Sequence, residues 1–180
     1  MSMLIYVVMA VFSAAALVTN NKMCSIFSAA MAPTGALMAF LALFSGSFWG
    51  RPTWGTHWVW DARLTSELIL LFLYLGFLAL QSAIADHRRA DKACAVIAIV
   101  GVVNVPIIYF SVKWWNTLHQ GASITSKGSS IAPIMLYTLL LMVVAFWIYS
   151  FASTFVRARS MILERERRQT WVQALVKEGK

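Results

Sequence analysis

Five apolar stretches near 3–19, 25–48, 67–85, 93–110 and 132–155 each approach the ~20 residues that a helix needs to cross a ~30 Å hydrocarbon core. Short polar pieces separate them. Backbone groups in lipid must be satisfied within their own segment, and none of the stretches alternates as a strand would. The spacing therefore predicts an all-α, polytopic transmembrane bundle of about five spans. Composition agrees. Of 180 residues, 60% are hydrophobic and 12% charged, where a soluble domain carries about a quarter charged residues. Pro33 and Pro106 fall inside spans and predict local breaks in the helical ladder. Asn104 predicts a hydrogen bond between helices.

The net charge of +8 does not imply nucleic acid. Nearly half of the Lys and Arg lie beyond residue 155, and no basic surface interleaves with aromatic residues. Cys24 and Cys94 have neither metal-type nor CxxC spacing and read as structural thiols. Counting cations in alternate loops gives the orientation. Lys22, Arg88, Arg89, Lys92, Arg157, Arg159, Arg165, Arg167, Arg168, Lys177 and Lys180 form one set, and Arg51, Arg63, Lys113 and Lys127 the other, together the 15 of the chain. The larger set, including a basic tail at 156–180, is expected in the cytoplasm. Segments 49–66 and 111–131 then share the opposite face. Residue 1 also falls outside, at the start of an apolar run with no basic region before it, so a five-span chain and one lacking an upstream span both fit.

The outer segments hold the chemistry. Were 54–61 helical, Trp54, His57, Trp58 and Asp61 would share one face at i, i+3, i+4 and i+7. An aromatic belt needs one or two Trp per helix end, yet six of the eight tryptophans fall in these two segments, Trp54, Trp58, Trp60, Trp114 and Trp115 among them. His119 lies four residues after Trp115. Indoles for a flat apolar molecule, imidazole for a metal at its centre, and Arg51, Arg63 or Lys113 for acidic substituents together suit haem.

Two stretches, "WGTHWVWDARLTSELILLFLYLG" at 54–76 and "GVVNVPIIYFSVKWWNTLHQG" at 101–121, closely resemble the CcmC family of cytochrome c maturation. The first resembles its external Trp-rich WWD segment. The likeness extends over essentially the whole chain. It implies a bacterial inner-membrane protein with a periplasmic WWD segment and a cytoplasmic tail. Haem b would be held there by two histidines from outer loops and presented to a periplasmic, membrane-anchored haem chaperone. An ABC-type ATPase complex and a small single-span subunit would assist release of the loaded chaperone. Carried over by position, His119 is the second iron ligand. Trp54, Trp58, Trp60 and Asp61 form the platform, with Trp114 and Trp115 beside it, and Arg51 or Arg63 meets the propionates.

Two departures stand out. The family's first ligand histidine follows a span upstream of this chain, which favours an N-terminally shortened chain. His57 occupies a place where the family usually has tryptophan, either as an aromatic replacement or as a substitute ligand. No catalytic nucleophile is evident, so a haem-binding and haem-delivering role, not an enzyme, is the first reading. A permease subunit for haem or another hydrophobic solute is the alternative, although few ionisable groups lie within the spans. A structural subunit docking a partner through its Trp shelf is the third.

Overall fold

The structure is a computed structural model, and it describes residues 1–115, 119, 124–125, 128–129, 131–167 and 169–173. Most of the 111–131 segment beyond Trp115, together with Arg168, Lys177 and Lys180, lies outside the described residues. Among the described residues the fold is carried by helices α1 Ser2–Thr19, α2 Lys22–Trp54, α3 Ala62–Ala83, α4 His87–Gly101, α5 Asn104–Trp114 and α6 Pro133–Arg165. A two-residue antiparallel pair, β1 Ile124–Thr125 with β2 Gly128–Ser129, precedes α6. With α4 and α5 counted as one span, His87–Trp114, five helical spans among the described residues are long and apolar enough to cross a membrane. The chain is an all-α multispan membrane protein.

Short polar signals punctuate the helices. Asn20 ends α1 in the left-handed region at φ 52°, a conformation that Asn tolerates better than most residues. Asn21 caps α2, its side chain accepting from the Met23 amide at 2.9 Å. Gly55 ends α2 at φ 76°, its amide donating to the Arg51 carbonyl at 3.0 Å. Asp86 caps α4 by accepting from the Arg88 amide at 2.9 Å. The break between α4 and α5 falls at Val102–Val103, one turn before Pro106. Pro106 has no amide to give to the Val102 carbonyl, which instead accepts from Val105 at 3.0 Å.

Apolar burial alone gives little reason for helices to associate in lipid, so small residues and hydrogen bonds hold them together. Along α2, Ala29, Ala32, Ala36 and Ala39 are buried against α1 and α3. Gly35 lies directly under the Tyr74 ring, where a Cβ would clash. The Tyr74 hydroxyl donates to the Ser2 carbonyl at 2.8 Å, and Tyr6 meets Tyr74 edge-on at 5.0 Å. The hydroxyls of Ser13 and Ser28 pair at 2.7 Å between α1 and α2. Asn104 Nδ2 donates to the Ser66 carbonyl of α3 at 2.8 Å, the interhelical bond its sequence position predicts.

Helix α6 packs chiefly on α2, through Ala158 against Ile26 and Ala30, and Arg157 donates to Thr34 Oγ1 at 2.5 Å. Its C-terminal end is fixed by a two-pronged pair from Arg165 to Asp91 of α4 at 2.9 and 2.8 Å. Most of its remaining apolar surface is exposed.

The helices outrun the apolar stretches. Helix α2 continues past Phe48 to Trp54, α3 begins at Ala62, and α6 continues past Phe155 to Arg165. Residues 55–61 are not helical. The one-face arrangement of Trp54, His57, Trp58 and Asp61 therefore does not form, because Gly55 turns the chain out of α2 before His57 is reached.

Candidate functional site

The non-helical connection from Gly55 to Asp61 sits at the end of the bundle where α1 begins. Asp61 is the N-cap of α3, and its Oδ1 accepts from the Leu64 amide at 2.7 Å. Capping in this way satisfies an amide that has no partner within the helix. The second oxygen, Oδ2, lies 2.8 Å from His119 Nδ1 across 58 residues of chain. The two side chains are 6% and 19% exposed respectively, so water competes little for the contact. With a proton on Nδ1 donated to the carboxylate, Nε2 presents its lone pair elsewhere. Metal-binding histidines are commonly oriented by a carboxylate in this way.

The Trp54 ring stands 4.7 Å from the His119 ring, and Trp49 meets Trp54 edge-on at 5.6 Å. Trp49, Trp54, Arg63, Glu67 and His119 line a cavity of about 680 Å³. That volume lies within the ~300–1,000 Å³ usual for small-molecule and cofactor sites. Gly46 and Ala42 leave room along the α2 wall. Glu67 accepts from the Ser2 hydroxyl at 2.7 Å, tying the cavity to the first turn of α1.

These features suit haem as cargo. Among the described residues no group of three or more His, Cys, Asp or Glu side chains converges as a bare ion would need. With Nδ1 held by Asp61, His119 Nε2 would bind a metal that brings its other ligands with it. Trp54 can cover an apolar face, and Arg63 supplies a cation for acidic substituents.

The expected site residues divide into two groups. Trp54, Asp61, Arg63 and His119 come together at the cavity. Trp58 and Trp60 form a separate pair at 5.5 Å, with Trp60 75% exposed. The Trp58 indole nitrogen is buried and has no acceptor among the described residues, an uncommon state for a buried donor. Trp114 stacks on Phe110 at 5.1 Å and Trp115 meets Trp114 at 5.9 Å, both exposed and away from the cavity lining. Arg51 is exposed and does not line the cavity. His57 packs its ring 6.1 Å from Phe48, with Nδ1 3.4 Å from the Ser47 carbonyl, apart from His119.

Trp49 and Glu67 are cavity residues that the sequence reading did not single out. Trp49 lies within the Trp-rich segment, so its composition was the available signal. A carboxylate at the head of an apolar run is the corresponding signal for Glu67.

The family model described as Heme exporter protein C, CcmC, matches residues 1–173. Heme exporter protein C of Escherichia coli (strain K12) is 50% identical over 175 residues, which is 97% of this chain and 71% of the relative. The protein of the same name from Bradyrhizobium diazoefficiens is 48% identical over 166 residues, 92% of this chain and 63% of the relative. A putative cytochrome c biosynthesis ccmC-like mitochondrial protein of Marchantia polymorpha is 44% identical over 163 residues, 91% and 69% of the two chains. With a Trp- and His-lined cavity and a family match over nearly its whole length, this chain belongs to the heme exporter protein C (CcmC) family.

Proposed function

We propose that the chain holds haem b at the His119 cavity and delivers it to a membrane-anchored haem chaperone during c-type cytochrome biogenesis. The observation that carries this reading is the Asp61–His119 hydrogen bond beside Trp54, at the mouth of a cavity of about 680 Å³. His119 Nε2 would bind the haem iron. Asp61 holds the imidazole, and Trp54 and Arg63 in the cavity lining would meet a haem face and a propionate. Trp58 and Trp60 pack on each other outside the cavity lining, Trp58 half-buried and Trp60 exposed, which suits contact with the chaperone rather than burial of haem. Trp114, Trp115 and Arg51, also exposed and outside the cavity lining, are assigned to the same contact.

The chain performs no covalent chemistry in this scheme. It binds, orients and releases haem, with the ABC-type ATPase complex and the small single-span subunit assisting release of the loaded chaperone. The cavity faces the periplasm and the C-terminal end of α6 faces the cytoplasm of a bacterial inner membrane, as the cation count predicts.

The test is chaperone loading by the full chain in its membrane. Replacing Trp58 and Trp60 together by Ala is expected to lower loading about tenfold while haem binding, read by the Soret band, falls much less. Equal loading by the double variant and the parent would refute the docking role. Loss of the Soret band in that variant would instead move these tryptophans into the haem site.

A further inference from the structure

At the opposite end of the bundle, the α1–α2 turn and the first turns of α4 enclose a second cavity, of about 360 Å³. Lys22, Arg88 and Lys92 line it together with Asp91, and Ala16 and Leu17 supply an apolar wall. Among the described residues none of these three cations enters an ion pair. The neighbouring carboxylates are already committed. Asp91 gives both oxygens to Arg165, at 2.9 and 2.8 Å. Asp86 caps α4 and lies 3.5 Å from Arg89. Helices α2 and α4 begin here and α1 ends here, so the dipole ends partly offset and the field rests on the three cations.

Three like charges around one cavity, with no uncommitted counter-charge among its described lining residues, form an arrangement that a dianionic or monoanionic phosphate would relieve. We infer that this cavity, framed by Lys22, Arg88 and Lys92, binds the phosphate headgroup of an anionic phospholipid of the surrounding membrane. The phosphate bridges the cations, and the glycerol and first acyl carbons rest on Ala16 and Leu17. Lipid is the occupant because the cavity lies between membrane-spanning helices and opens at their ends. Basic pockets in that position recognise anionic headgroups. The inference does not rest on the haem reading, since the two cavities lie at opposite ends of α1.

The experiment titrates the purified full chain, in neutral detergent, with dioleoylphosphatidylglycerol or dioleoylphosphatidylcholine and reads retained lipid by native mass spectrometry. Phosphatidylglycerol should be retained and phosphatidylcholine largely lost. Each of Lys22→Gln, Arg88→Gln and Lys92→Gln should weaken phosphatidylglycerol roughly fivefold. Arg89→Gln, whose charge already has Asp86, should change binding less than twofold. A charge-keeping triple variant, Lys22→Arg with Arg88→Lys and Lys92→Arg, should retain the lipid. Equal retention of both lipids, loss of binding in the charge-keeping variant, or an equal effect of Arg89→Gln would overturn the inference. Tighter binding of inorganic phosphate or of a soluble oligoglutamate peptide would do so as well, by assigning the cavity to a different ligand.

Discussion

Asp61 uses its two carboxylate oxygens for two tasks, one starting α3 and one holding His119. The tasks separate under mutation. Asn is as good an N-cap as Asp, so Asp61→Asn should leave the thermal midpoint almost unchanged. Loss of the charged partner to imidazole should nevertheless weaken haem binding about 10-fold or more, as removal of such supporting groups does at other metal sites. Asp61→Ala should lose haem affinity and also about 1 kcal/mol of stability from the missing cap. Parallel haem titrations and thermal melts measure both effects. The residue types were legible in the sequence, because indole and imidazole concentrated in outer segments are visible without a structure. The Asp61–His119 pairing was not, since the partners lie 58 residues apart. Periodicity also misled: the 54–61 spacing mimics a helix face, while the single Gly55 that ends the helix carries little weight in a pattern count.

Among the elements, the close crossing of α2 and α3 depends on Gly35. A methyl group there would displace the Tyr74 ring and with it the hydroxyl bond to the Ser2 carbonyl. Gly35→Ala should therefore destabilise the bundle by about 1–3 kcal/mol, the range of overpacked cores, and a detergent-solubilised melt reads the loss. Adding Tyr74→Phe, which removes the hydroxyl, should recover part of it. Span number and centres were legible because lipid demands continuous apolar runs. Span ends were not. Hydropathy reports where lipid stops, whereas helical hydrogen bonding in α2 and α6 continues past that level to Trp54 and Arg165. Asn104 and Pro106 were readable beforehand because their chemistry is local: one amide needing a partner and one amide missing.

Across the whole molecule, the bundle separates two chemistries along α1: an aromatic cavity with one available imidazole at its start, and a cationic cavity at its end. The proposed orientation places the first outside. Thr56 is exposed in the connection beside that cavity, so Thr56→Cys should react with impermeant thiol reagents in intact cells, whereas native Cys24 and Cys94 should not. Labelling of Cys24 with protection at position 56 would invert the assignment. The central claim is that His119 binds haem iron, and the Soret spectrum of the purified membrane protein tests it most directly. His119→Gly should lose the band, and added imidazole should restore it by filling the vacated ligand position, while His57→Ala should leave the parent spectrum intact. Retention of the parent spectrum by His119→Gly without imidazole, with its loss in His57→Ala, would contradict the account and make His57 the ligand.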